Sequence, residues 1–446
     1  MLTITNPFFH RGPVRNRAYF FGRKHETSQM LSLLGNGQSV SLVGQRRIGK
    51  TSLLFHILDP EVFTRHGLNP QEHLFVYIDC SGLSNLDQPD LYRVFLEEIS
   101  DALADRELQT DQSVLAVDTQ PSTYRAFERS LRQLIRQGWK PIILLDEFER
   151  MSRNPQLDPD FFSGLRALAA KYPIAYITAS KLPLLALTYA DASTLSSPFF
   201  NIFASIRLSL FSEADARSLL TGLSARGQIT FAPATLDHIL DLVGPHPLFL
   251  QIAGFHAFEL RQVRKAALTD DDHVELRHRF HSSVEEHFGY YWRTLSDTEQ
   301  RVLANLPAWQ DSQPDIIRRL EQGCLIVGHD EGYDYLSSTF RDFVQAQPIP
   351  GLLKAGPIAI DESRRQAFLR GQPLNLTATQ YSVLLSLVEQ AEQIIPPEAL
   401  EQAVWGDEYI EDPERLKSVL KSLRRALGDE AARLENVRGV GYVWRG

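Results

Sequence analysis

Apolar residues come in short dense runs along the first half of the chain. Ser39-Val40-Ser41-Leu42-Val43, Leu74-Phe75-Val76-Tyr77-Ile78-Asp79-Cys80, Lys140-Pro141-Ile142-Ile143-Leu144-Leu145, Ile174-Ala175-Tyr176-Ile177-Thr178 and Ile206-Arg207-Leu208-Ser209-Leu210 alternate with polar, helix-spaced stretches. Runs apolar on both faces suit strands of a parallel sheet covered on two sides, which predicts an α/β core over 36–211 after a lead-in of residues 1–35. Residues 212–270 read as a helical lid, with Ser212 as an N-cap. Residues 271–345 give helices at Leu295 to Leu303 and Ile316 to Gln322, then a hairpin from Cys324-Leu325-Ile326-Val327 back to Tyr333-Asp334-Tyr335-Leu336, a winged-helix-like module. Pro348-Ile349-Pro350-Gly351 to Gly356-Pro357 marks a linker over 346–356, and 357–446 forms a last domain.

Chemistry enters at Gly44-Gln45-Arg46-Arg47-Ile48-Gly49-Lys50-Thr51, a complete G-x-x-x-x-G-K-T phosphate loop between a strand and the helix opening at Ser52. Its glycines let successive N–H groups converge on a phosphate. Lys50 reaches the β/γ oxygens, Thr51 is placed to ligate Mg²⁺, and the helix N-terminus adds partial positive charge. The run ending at Leu145 is followed by Asp146, a metal carboxylate, and Glu147, placed to polarise an attacking water. A strand-like run at 74–80 between the two motifs, with the glutamate after the aspartate, points to the hydrolysing, additional-strand branch of P-loop ATPases. The expected cofactors are ATP and Mg²⁺.

Composition narrows the class. The 446 residues are 43% hydrophobic and 23% charged, an ordinary globular balance long enough for several domains. No apolar run approaches the ~20 residues of a membrane span, and the first residues lack signal-peptide regions. Cys80 and Cys324 are two isolated thiols, as a reducing cytosol allows, so the expected location is cytoplasmic without a membrane partner. A net charge of −9 means that any nucleic-acid contact comes from a local basic patch.

Phe20-Phe21-Gly22-Arg23, the phosphate loop through Leu54, Leu144-Leu145-Asp146-Glu147, Ser197-Pro198-Phe199-Phe200-Asn201 and Gly244-Pro245-His246-Pro247 together resemble STAND-type and archaeal-ATPase-type P-loop NTPases over residues 15–345. The resemblance implies that Gly22 and Arg23 lie on the adenine and ribose side, and that Pro245 or His246 folds over the nucleotide. It also implies an ATP/ADP switch, often coupled to homo-oligomerisation. Where the family often has an arginine sensing the γ-phosphate, this chain has Lys181, which reads as well as an exposed loop lysine and stays outside the catalytic set of Lys50, Asp146 and Glu147. His246 between prolines reads equally as a helix cap. Arg46 and Arg47 meet phosphate or solvent; with Gln45, Ile48, Gly49 and Ser52 they complete the expected nucleotide-binding set.

Near the C-terminus Leu416, Val419, Leu420, Leu423 and Leu427 fall on one helical face, and Ser418, Lys421, Ser422 and Arg425 on the other, flanked by Arg415, Lys417 and Arg424. A hairpin, Leu434-Glu435-Asn436-Val437-Arg438-Gly439-Val440-Gly441-Tyr442-Val443-Trp444, follows. With Leu376-Thr377-Ala378-Thr379-Gln380-Tyr381 and Val404-Trp405-Gly406, this end resembles the OmpR/PhoB-type winged-helix DNA-binding domain over 357–446. The resemblance implies that Arg415, Ser418, Lys421 and Ser422 face bases or phosphates of double-stranded DNA, that Arg424 and Arg425 meet phosphates, and that Arg438 sits on the wing. Glu414 departs from the basic residue usual at the helix start. The whole reads as an ATP-dependent, STAND-type transcription regulator. The alternatives are an AAA+-like DNA-remodelling, initiation or transposition ATPase, and a defence or signalling switch whose last domain binds protein.

Overall fold

The computed structural model describes residues 5–8, 11–105, 123–188, 198–309, 313–349, 351–362, 364–406 and 413–446; Ser197 and Pro350 of the motifs above lie outside them. The chain divides into two compact units, Met1–Ser283 with Gln322–Cys324, and Val284–Glu321 with Leu325–Gly446.

The first unit is built on five parallel strands, β1 (Ser39–Gly44), β2 (His73–Asp79), β3 (Lys140–Asp146), β4 (Ala175–Ser180) and β5 (Phe203–Leu208), in the order β2-β3-β4-β1-β5. Strand alternation divides the core into two layers: Leu74, Val76, Ile78, Ile143 and Leu145 pack on one face, and Phe75, Ile142, Leu144, Val40 and Leu42 on the other. The additional strand is β4, which separates β1 from β3, whereas the run at 74–80 forms β2 at the sheet edge. That corrects the sequence expectation, because order along the chain does not give order across a sheet. The fifth strand also starts earlier than expected, at Phe203 opposite Ser39, and stops at Leu208 where β1 stops at Gly44. Helices Glu213–Arg226, Pro233–Val243 and Pro247–Arg264 form the helical segment, and Ser212 accepts from the N–H of Asp215 as its N-cap.

In the second unit a two-stranded wing, β6 (Ile326–His329) with β7 (Gly332–Tyr335), follows helix Pro314–Gln322. Then come four antiparallel strands, β8 (Leu352–Ala355), β9 (Ile358–Asp361), β10 (Gln366–Leu369) and β11 (Gln372–Pro373). Helices Ala378–Glu389, Pro397–Trp405 and Pro413–Leu427 and the hairpin β12 (Leu434–Val437) with β13 (Gly441–Trp444) complete it. Tyr381, Leu384, Leu387, Leu416, Leu420, Leu423, Leu427 and Trp444 share one core. Gly441 is required by close approach: a Cβ there would collide with the Ile395 carbonyl, which accepts from the Tyr442 N–H at 2.9 Å while the Ile395 N–H donates to the Tyr442 carbonyl at 2.8 Å.

Strand β8 occupies residues read as linker. Leu352 and Ala355 are buried, and the Trp444 indole donates to the Ala355 carbonyl at 3.0 Å. A fragment beginning at Pro357 leaves that buried N–H unsatisfied, which costs ~1–3 kcal/mol. It should melt at least ~5 °C below one beginning at Pro348, given ~4–8 °C per kcal/mol in a domain of this size. Equal melting temperatures would show that β8 adds nothing.

Candidate functional site

Strand β1 delivers the phosphate loop at the carboxyl edge of the sheet. Gly44 is required by close approach, since a Cβ would stand 2.9 Å from Ile48 Cγ2 and 3.1 Å from the Leu208 carbonyl oxygen. Arg47 (φ 68°) and Gly49 (φ 103°) take left-handed backbone, the turn that aims consecutive N–H groups into one concavity. Ile48 is fully buried and anchors the loop from below. Lys50 opens helix Lys50–Ile57; its amine donates to the carbonyls of Gly44 at 2.9 Å and Gln45 at 3.2 Å. Burial lowers the Lys50 pKa, opposed by the charges of Glu147, Glu149 and Asp146. Gln45 is buried, Arg46 and Arg47 are exposed, and Ser52 accepts from the N–H of Val14 at 3.0 Å.

On the acidic side the Thr51 hydroxyl donates to Asp146 Oδ2 at 2.7 Å, and the Glu147 N–H donates to Asp146 Oδ1 at 3.0 Å. Glu147 has φ 50°, a left-handed conformation that a glutamate holds only under constraint. Its carboxyl is half-buried, and burial followed by the nearby Glu149 raises its pKa. A hydroxyl beside a carboxylate is the oxygen pair that a hard divalent cation takes, and the inward N–H groups with Lys50 match a polyphosphate, so the residues fit Mg²⁺ and a nucleoside triphosphate.

A cavity of about 300 Å³ opens over the loop. The phosphate loop from Arg46 to Ser52 and Glu147 line it, together with the apolar side chains of Pro13, Val14, Phe20, Phe21, Phe211 and Leu248. Arg23 also lines it, yet its guanidinium is engaged with protein: it donates to the carbonyls of Ile48 at 3.3 Å and Ser209 at 2.6 Å, pairs with Glu26 at 2.9 Å and lies over the Phe211 ring. Gly22 sits outside the lining, where φ 70° and Phe211 3.1 Å from a notional Cβ account for the glycine. The helical segment reaches the cavity with Pro247, Leu248 and Gln251. His246 is fully buried, its ring stacked on Phe249 at 4.4 Å, and half-buried Pro245 accepts from the Phe211 N–H at 3.0 Å. The helical segment's lining thus begins at Pro247, the residue after His246, whose ring turns into the core. The Gly12-Pro13-Val14 stretch and Gln251 went unread in the sequence, having no motif of their own.

On the last helix Arg415, Ser418, Lys421 and Arg425 are exposed, as is Arg438 between β12 and β13. Arg415 lies over the Trp405 ring at 4.4 Å, and Glu414 pairs with Lys417 at 2.7 Å. Two of the expected contact residues are also bonded within the domain. Ser422 accepts from the Gln380 amide at 2.7 Å, and Arg424 donates twice to the Leu434 carbonyl, at 3.2 and 2.9 Å, tying the helix to the foot of the wing. Among the described residues no helix is long and apolar enough to cross a membrane.

A family model described as Novel STAND NTPase 2 matches residues 25–308, and one described as Transcriptional regulatory protein, C terminal, matches residues 371–444. Among solved structures the Walker-type ATPase of Pyrococcus abyssi is similar in fold, with a TM-score of 0.56 and 14% identity over 76% of this chain and 99% of that one. The sensory transduction protein RegX3 of Mycolicibacterium smegmatis is 30% identical over 99 residues, 22% of this chain and 43% of that protein. The response regulator ArlR of Staphylococcus saprophyticus is 33% identical over 113 residues, 25% of this chain and 51% of that protein. The chain spans about half the length of these curated relatives, or less.

Proposed function

The chain belongs to the Novel STAND NTPase 2 family and ends in an OmpR/PhoB-type winged-helix domain, and from that premise we propose that it is a transcription regulator whose grip on duplex DNA is set by bound ATP or ADP. The observation that carries this reading is a phosphate loop joined to an acidic pair at 2.7 Å, in one chain with a helix that exposes Arg415, Lys421 and Arg425. The N–H groups of Gly44 to Thr51 cradle the phosphates, and Lys50 stabilises the β/γ oxygens. Thr51 and Asp146 hold the metal. Bound Mg²⁺ supplies neutralisation of the charge that develops on the γ-phosphoryl oxygens. Glu147, kept basic by burial and by Glu149, orients the water and takes its proton. The apolar side chains of the cavity receive the base, and Arg23 braces the loop against the end of β5.

Coupling between two sites in a switch of this kind is typically ~1–3 kcal/mol, or about 5- to 150-fold in affinity, and is reciprocal. The test titrates the full chain with its best selected duplex in ATP (using Glu147→Gln to block turnover), in ADP and without nucleotide. Affinities should differ at least about fivefold between ATP and ADP, and cognate DNA should shift nucleotide affinity by the same factor. Values within about twofold in all three states would end the switch reading, and turnover stimulated by DNA of any sequence would replace it with a remodelling ATPase.

A further inference from the structure

Asp146 is 3% exposed, and a carboxylate so buried needs donors on both oxygens. Two of them belong to the site already described, the Glu147 N–H on Oδ1 and the Thr51 hydroxyl on Oδ2. A third comes from the edge strand: the Tyr77 phenol donates to Oδ2 at 3.0 Å. The pairing of β2 with β3, in which Asp79 stands opposite Asp146, brings the phenol within reach. The half-buried Tyr77 ring packs on Phe55 of helix Lys50–Ile57, centroids 4.9 Å apart, so the hydroxyl cannot swing aside without disturbing that contact.

We infer that Tyr77 is a positioning residue for the metal site, holding the Asp146 carboxylate from the sheet edge while Thr51 turns its oxygen toward Mg²⁺. The inference rests on the nucleotide-site reading above. Partners of this outer kind typically change metal affinity 10- to 100-fold. Tyr77→Phe keeps the ring and leaves Asp146 with Thr51 and Glu147, so the fold should survive.

The experiment measures the ATP-induced melting shift while Mg²⁺ is titrated, in wild type, Tyr77→Phe, Asp146→Asn and the double variant, with ATP binding in EDTA as a separate readout. Tyr77→Phe should raise the Mg²⁺ half-point about tenfold or more and leave metal-free ATP binding within about twofold. In the Asp146→Asn background the same change should add nothing. An unchanged Mg²⁺ half-point overturns the inference. So does an equal cost in both backgrounds, which assigns the effect to ring packing. Absence of any ATP-induced shift in wild type overturns the nucleotide reading itself and the inference with it.

Discussion

Lys50→Ala abolishes the stabilisation that Mg-ATP gives the wild-type chain. Lys50 is 9% exposed and its amine already points at the loop, held by two of the loop's carbonyls, so the site is organised before ligand arrives. Ligand at ~100 times its dissociation constant adds ~2.7 kcal/mol to the folded state. In a unit of this size that is on the order of 5–10 °C in melting temperature. Alanine removes the one side-chain cation buried in the loop and should leave a shift below ~1 °C, with the ligand-free melting point showing whether the fold is intact. Glu147→Gln separates binding from chemistry: the melting shift should persist while turnover drops ~100-fold or more, the usual contribution of a positioned base. Equal shifts in wild type and Lys50→Ala would sink the site, whereas unchanged turnover in Glu147→Gln would sink only that residue's role.

What the sequence made legible is what neighbouring residues dictate to one another. Gly44, Gly49 and Lys50 declare a loop because backbone sterics and phosphate geometry act within eight residues, and Ser212 declares a helix start for the same local reason. The place of β4 between β1 and β3 depends on pairing across more than a hundred positions, and no local pattern carries it. Strand β8 was hidden by Pro348, Gly351 and Gly356, whose turn signals outweighed the short run Leu352-Leu353-Lys354-Ala355. Helical periodicity put Ser422 and Arg424 on or beside the outer face. It could not see that Gln380 and the Leu434 carbonyl pack there and claim them. For His246, read equally as a lid contact or a helix cap, the motif places the backbone at the N-cap of Pro247–Arg264, while Phe249 decides where the ring goes.

The DNA face is where those reassignments change an expected result. With Arg424 held by the wing, the cations left for phosphates are Arg415, Lys421, Arg425 and Arg438. Four phosphate contacts predict that log affinity falls with log salt at a slope near ~−3.6, from about −0.9 per neutralised phosphate. Lys421→Ala and Arg425→Ala should each reduce that slope by about one and weaken binding evenly across sequences, the signature of phosphate rather than base contact. Arg424→Ala should behave differently. It removes two charge-assisted bonds to a carbonyl at the foot of the hairpin, so it should cost ~1.5–3 kcal/mol of domain stability and leave the salt slope of the surviving folded protein unchanged. Ser422→Ala, which releases the Gln380 amide and removes the hydroxyl's bond to the Val419 carbonyl of its own helix, should move either quantity far less. The measurement is duplex binding between about 50 and 200 mM salt, alongside thermal unfolding of each variant. If Arg424→Ala lowered the slope by about one while the melting point stayed put, the arginine would be a phosphate contact after all. If none of the four exposed cations altered the slope, the last helix would not be the DNA face, and the domain would be a protein-binding module on a nucleotide switch.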